Sequence, residues 1–234
     1  MEEILRAGFA ALGVDAPPAA IEQLRQYYEL LEETNAVMNL TAIRGEQDTA
    51  RLHFLDCGAL VRYLPEGCVS LCDVGSGAGF PGLVLKILRP ELDLVLLDSL
   101  DKRVKFLSAV CAELGFGDVR CLHARAEVAA AGELRQSFDL ACSRAVARLN
   151  LLSELCLPFV KPGGLFIAMK GPELSEELRE AERGIRLLGG EVERVAEYAV
   201  PGTELRHNAV LIRKVTDTPK KYPRKWAQMK KNPL

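Results

Sequence analysis

The chain has 234 residues, of which 49% are hydrophobic and 26% charged; these proportions exclude a mostly disordered, collagen-like or coiled-coil chain. The length suits one large α/β domain, or one domain with a small appendage. The net charge of −2 hides an asymmetry: residues 213–234 carry eight basic residues against Asp217, a net +7, while residues 1–212 carry −9.

Residues 2–12 and 20–34 read as amphipathic helices. In the second, Ile21, Leu24, Tyr28 and Leu31 recur at steps of three and four and so share a face. Pro17-Pro18 marks its start. Asn39-Leu-Thr41 breaks the pattern before a further helix over 46–63. From there strands and helices alternate. Strands are predicted at 69–74, 93–97, 119–122, 138–142, 164–169, 191–199 and 209–213. Helices at 81–88, 102–114, 126–135, 149–159 and 173–188 separate the first six. This alternation predicts an α/β, Rossmann-like fold with a mostly parallel seven-stranded sheet. Only Pro201 to Asn208 lies between the last two strands, too little for a crossover, so one strand is expected antiparallel. The predicted organisation is a helical N-terminal region (1–65) packed on the core, a sheet domain (66–213) and a basic C-terminal arm (214–234).

Pro219, Pro223 and Pro233 oppose a continuous helix in that arm, so an extended segment is expected. Lysine and arginine hold phosphates, and aromatic faces stack on unpaired bases. Lys220, Lys221, Arg224, Lys225, Trp226, Lys230 and Lys231 are therefore candidate RNA contacts, with a solvated terminus as the competing reading. Lys102, Arg103 and Lys105 form either a further basic edge or a solvated helix face. Seven cysteines are scattered through apolar runs without a CxxC pair, which predicts reduced core residues and no metal site. No run of about 18 apolar residues occurs, so no membrane helix is expected. The start, Met1-Glu2-Glu3, is acidic where a signal peptide is basic, and a cytoplasmic location is expected.

The strongest local signal is Asp73-Val-Gly75-Ser-Gly77-Ala-Gly79-Phe-Pro-Gly82, between an apolar strand and a helix. The glycines allow a tight turn and close approach of a ligand to backbone. Asp98 ends the next strand, where an acid can accept both hydroxyls of an adenosine ribose. Two cofactors fit. Gly77 to Gly82 is a literal GxGxxG with an acid 21 residues on, which suits NAD. Asp73 directly before the loop suits a cofactor with an amino group and a sulfonium, S-adenosylmethionine. Lys161-Pro-Gly-Gly164 leading into Leu165-Phe-Ile-Ala-Met169 resembles the step before the fifth strand of class I methyltransferases and favours the second.

Over almost its whole length the chain resembles the bacterial small-subunit ribosomal RNA guanine-N7 methyltransferases, the glucose-inhibited division protein B family. The resemblance rests on Asn39-Leu-Thr41, Arg51-Leu-His-Phe-Leu-Asp56, the glycine loop and Leu97-Asp-Ser-Leu-Asp-Lys-Arg-Val-Lys-Phe-Leu107. It continues in Ala124-Arg-Ala-Glu127, Ser143-Arg-Ala145, Lys161-Pro-Gly-Gly164, Met169-Lys-Gly171 and Lys221-Tyr-Pro-Arg224. It implies S-adenosylmethionine as cofactor and a guanine N7 in 16S rRNA, naked or in the small subunit, as substrate. By the same match Gly75 and Phe80 line the cofactor, and Ala126 and Glu127 lie near its adenine; Asp73, Gly77, Gly79, Asp98 and Arg144 complete the candidate cofactor-binding set. Arg144 lies between cofactor and substrate, and Arg125 is a second functional arginine. Trp226-Ala-Gln-Met229 departs from the family, which typically has small residues and a proline there.

Guanine N7 presents an in-plane lone pair, so the nucleophile needs no deprotonation. His53, His123 and His207 are isolated in sequence, with no evident His–carboxylate pair. They are expected to be structural or to touch RNA rather than to act as bases.

Overall fold

The computed structural model describes residues 1–234. Helix α1 (Glu2–Leu12) ends at Gly13, which takes the left-handed φ of 66° that a helix stop requires. Helix α2 (Pro18–Met38) buries Ile21, Leu24, Tyr27 and Leu31. Tyr28, expected on that face, is only half-buried; Tyr27 continues the three-and-four spacing instead. The buried amide of Asn35 explains the stop. It donates to the Thr41 carbonyl and accepts from the Thr41 N–H, both at 3.0 Å, and so turns the chain away from the helix.

Residues 46–63 form α3 (Glu46–Thr49), a π turn (Ala50–Leu55), α4 (Asp56–Gly58) and a 3-10 turn (Ala59–Tyr63). A π turn widens the register locally and is often found at functional sites. Here it carries His53 and opens into Asp56, both nearly fully buried.

The sheet comprises β1 (Ser70–Val74), β2 (Asp93–Asp98), β3 (Arg120–His123), β4 (Phe138–Arg144), β5 (Val160–Lys170), β6 (Gly190–Ala199) and β7 (Arg206–Lys214). Their order is β3-β2-β1-β4-β5-β7-β6. All neighbours through β5 are parallel, and β7 runs antiparallel to both β5 and β6. The connecting helices are α5 (Gly82–Leu88), α6 (Asp101–Glu113), α7 (Ala126–Ala129), α8 (Leu149–Cys156) and α9 (Ser175–Leu187). The strands read as continuous apolar runs because both faces are covered. Leu71, Leu94, Leu96, Leu165, Ile167 and Leu211 point into one core, with Phe9, Leu24, Tyr27 and Phe54 of the N-terminal helices. Their alternates Cys72, Val95, Leu97, Phe166 and Ile212 point into the other, with α8 and α9.

Two expectations are corrected. The helix predicted over 126–135 is one turn long, ending at Ala129. Arg135 is instead drawn to the carbonyls of Thr218 and Tyr222, at 2.6 and 2.8 Å, and Gln136 takes a left-handed φ of 49°. The C-terminal segment is not extended. It folds back over this turn and ends in α10 (Trp226–Lys231), with Tyr222 and Met229 buried in the second core.

Candidate active site

The glycine loop leaves the carboxyl end of β1 and is stitched to β2. Gly75 and Ser76 both donate to the Leu97 carbonyl, at 2.8 and 3.0 Å, and Ser76 Oγ accepts from the Leu97 N–H at 3.1 Å. Gly75 has φ +74°, and a Cβ there would lie 2.5 Å from Val146 Cγ2. At Gly77, φ +60°, the nearest atom to a Cβ is 3.9 Å away, so its open side is free for a ligand.

Above the loop, at the carboxyl ends of the strands, lies a cleft of about 730 Å³. Gly75, Gly77, Phe80, Asp98 and Arg144 line it, together with Thr41, His53, Asp56 and His207. A smaller compartment of about 230 Å³ joins it, walled by Leu97, Leu155, Arg125, Ala126, Glu127 and Trp226. Gly75, Asp98, Ser99 and Val146 belong to both. Asp98 thus stands at the junction, only 3% exposed. Its Oδ2 accepts from the Gly77 N–H and its Oδ1 from the Leu100 N–H, each at 2.9 Å. Arg103 approaches Oδ2 at 3.4 Å, so of the three basic residues on α6 it is the one that faces the cleft.

Two residues predicted to hold cofactor point elsewhere. The Asp73 side chain is fully buried beneath the loop, lines neither compartment, and accepts the Gly82 N–H at the start of α5 at 2.9 Å. Its Oδ1 has no partner, and burial pushes the carboxyl up to about 7. It braces the loop from behind. Gly79 faces the N-terminal helices: a Cβ there would meet Tyr27 Oη at 2.5 Å. The hydroxyl of Tyr27 in turn donates to the Ala78 carbonyl, tying α2 to the loop.

The other wall of the cleft is a polar hub that sequence reasoning missed. Arg144, at the end of β4, donates from Nη1 to the Leu52 carbonyl (3.1 Å) and to Asp56 Oδ2 (3.3 Å). From Nη2 it donates to His53 Nδ1 at 2.7 Å. Its guanidinium lies 4.8 Å over Phe80, against which the His53 ring is also stacked at 4.1 Å. Because arginine only donates, His53 Nδ1 must be the bare nitrogen, and Nε2–H donates to Thr41 Oγ1 at 2.9 Å. Burial, then the charge of Arg144, hold this ring down to about 3. Asp56 Oδ1 accepts from Tyr198 Oη (2.9 Å) and His207 Nδ1 (2.8 Å). The latter hydrogen bond raises the His207 pKa above its ordinary value. A His–carboxylate pair therefore exists, contrary to the sequence expectation, joining residues 151 apart. Its only advance sign was that Asn39-Leu-Thr41, Arg51 to Asp56 and Ser143 to Ala145 all stood among the motifs.

The predicted arginine pair is not brought together. Arg125 lines the smaller compartment, half-exposed and paired with Glu127 at 2.6 Å, whereas Arg144 lines the cleft. The tail divides as well. Lys220, Lys221, Lys225, Lys230 and Lys231 remain exposed. Arg224, grouped with them as an RNA contact, turns inward and grips the buried carboxylate of Glu154. Its Nη2, backbone N and Nε stand 2.6, 2.8 and 2.9 Å from the carboxylate oxygens. Trp226 also turns inward, to the smaller compartment. The correction has a simple cause: Glu154 on α8 is 1% exposed and requires a partner.

A family model described as rRNA small subunit methyltransferase G matches residues 20–206. Ribosomal RNA small subunit methyltransferase G of Clostridium botulinum (strain Loch Maree / Type A3) is 46% identical over 233 residues, covering 99% of this chain and 98% of its own length. The protein of the same name from Alkaliphilus oremlandii (strain OhILAs) is 46% identical over 238 residues, covering 100% and 99%. Among solved structures, TrmN from Thermus thermophilus shares the fold, with a TM-score of 0.56 at 18% identity over 77% of this chain and 53% of that one. The two long matches to named relatives, together with the family model, decide the matter: this chain belongs to the rRNA small subunit methyltransferase G family.

Proposed function

We propose that the protein uses S-adenosylmethionine to methylate N7 of a guanine in 16S rRNA, acting in the bacterial cytoplasm. The observation that carries the reading is Asp98, a buried carboxylate shared by two joined compartments and facing an open glycine loop. The residues fit the cofactor. Asp98 would accept from ribose hydroxyls, the open side of Gly77 would admit ligand atoms against backbone, and Leu97, Ala126 and Leu155 offer an apolar slot for a flat base. When bound, S-adenosylmethionine supplies a methyl group on a sulfonium, open to displacement by a lone pair.

The chain's own task is then placement, because guanine N7 needs no base. His53 is unsuited to proton transfer: both ring nitrogens are engaged and the ring is held neutral. It serves with Phe80 as a flat, stiff wall. Arg144 spends three of its five N–H groups on Leu52, Asp56 and His53. That leaves Nε–H and one Nη2–H for a carboxylate, a phosphate or guanine O6 in the cleft. The exposed tail lysines and Arg103 supply positive charge for the RNA backbone.

The test is methyl transfer from labelled S-adenosylmethionine to small subunits or 16S rRNA lacking the modification, followed by borohydride–aniline cleavage at N7-methylguanine. A single cleavage site that appears only with cofactor is expected. Label on an exocyclic amine or a ribose, or none at all, refutes the assignment.

A further inference from the structure

Trp226 is the only tryptophan in the chain and the first residue of α10. It lines the smaller compartment together with Asp98, Ala126 and Glu127, so a tail residue contributes to a wall otherwise built by residues of the sheet domain, from the end of β1 to Leu155 of α8. Its position is fixed from both sides. Upstream, Arg135 holds the carbonyls of Thr218 and Tyr222, and Thr218 Oγ1 donates to the Leu188 carbonyl at 2.7 Å. Arg224 is locked to buried Glu154 two residues before it. Downstream, Met229 is fully buried, and Leu234 packs where a Cβ on Gly184 would lie 2.8 Å from its own Cβ. A terminus that merely sampled solvent would show none of these.

An indole lining a compartment also walled by Leu97 and Leu155 suits one class of occupant, a flat heteroaromatic base. We infer that Trp226 is a cofactor-positioning residue that completes the adenine compartment, and that docking of residues 218–234 and cofactor binding are thermodynamically linked. The inference rests on the cofactor reading above. If the compartment is complete only when the tail is docked, cofactor stabilises the docked tail, and by reciprocity a docked tail raises cofactor affinity by the same factor. The tail then has two faces with separate tasks: Trp226 and Arg224 turned inward, the exposed lysines turned outward.

The experiment uses the full chain and S-adenosylhomocysteine as probe. Calorimetry gives affinity, and emission of the single tryptophan reports the compartment. Limited trypsin digestion, with cleavage after Lys221 and Lys225 followed by mass spectrometry, reports tail docking. The expected result is an emission change that saturates at the calorimetric Kd. Trp226→Ala should bind about tenfold more weakly while Trp226→Phe regains most of the loss. Tail cleavage should slow more than tenfold at saturating probe. Parent affinity in Trp226→Ala, or cleavage indifferent to the probe, overturns the inference and leaves the cofactor reading standing. If Trp226→Ala binds the probe normally but RNA poorly, the indole is a base-stacking RNA contact instead. If the unaltered protein binds no probe at all, the cofactor reading fails and the inference with it.

Discussion

Replacing Arg224 by alanine tests whether the basic tail is clasped to the body. Glu154 is 1% exposed, and Arg224 supplies its charge partner through the guanidinium and a backbone N–H. Removing the guanidinium leaves a buried carboxylate with the backbone donor alone, a change that typically destabilises by about 3–5 kcal/mol. With an unfolding entropy of about 2.1 cal/mol/K per residue, a chain of this length should melt roughly 6–10 °C lower. The assay is urea or thermal unfolding followed by far-UV circular dichroism. The compensating double variant Glu154→Leu/Arg224→Met removes both charges and should recover most of the loss, because an apolar pair of similar size needs no partner. An extended RNA arm predicts the opposite pattern: unchanged melting and weaker RNA binding. A melting point within about 1 °C of the parent refutes the clasp.

Three further outcomes follow from the site. Burial holds the Asp73 carboxyl up to about 7 when folded, against about 3.9 unfolded, so between these values the native state binds the extra proton and stability falls by about 1.4 kcal/mol per pH unit as pH rises. Asp73→Asn should abolish that slope and melt higher than the parent above pH 7; parallel pH profiles of the two proteins would count against the burial argument. Asp98→Ala should weaken S-adenosylhomocysteine binding by at least about 2 kcal/mol, roughly thirtyfold, since it removes a charged acceptor and the anchor of Gly77 N–H together, whereas Asp98→Asn keeps one acceptor. Unchanged calorimetric affinity in folded Asp98→Ala removes Asp98 from the cofactor site. Changing Lys220, Lys221, Lys225, Lys230 and Lys231 to glutamine should leave melting unaltered but flatten the log–log salt dependence of RNA binding by about 0.7–0.9 for each phosphate no longer neutralised; an unaltered slope would move the RNA interface elsewhere.

The sheet was readable because parallel strands buried on both faces announce themselves as apolar runs, and because the short link between the last two strands, six residues from Val200 to Leu205 in the structure, leaves no room for a crossover. The end of α7 was not, because the partners that replace its continuation come from Thr218 and Tyr222, more than 80 residues away. The glycine loop was equally plain, but not which way its members face. In a tight turn successive residues point to different sides, so Asp73 and Gly79 fall behind the loop while Gly75 and Gly77 border the cleft. The hub around Arg144 lay deeper still. Asp56 gathers Arg144, Tyr198 and His207 from three different strands, and nothing local to any of them signals the meeting.

The tail shows two signals in conflict and which one prevails. Its +7 charge suggested an arm reaching for a polyanion. Yet the same segment carries three apolar side chains: Tyr222 and Met229 are buried in the second core, and half-buried Trp226 packs against it. The two signals act under different conditions. Burying side chains such as Met229 and Tyr222 stabilises the fold by about 1.5–3 kcal/mol each at all times, whereas a solvated lysine contributes nothing until a phosphate arrives. The apolar side chains therefore decide where the segment sits, and the charge decides only what its outer face can meet. Arg224 belongs to the first group despite its charge, because Glu154 waits beneath it; the five exposed lysines, none of them paired with a buried carboxylate, belong to the second.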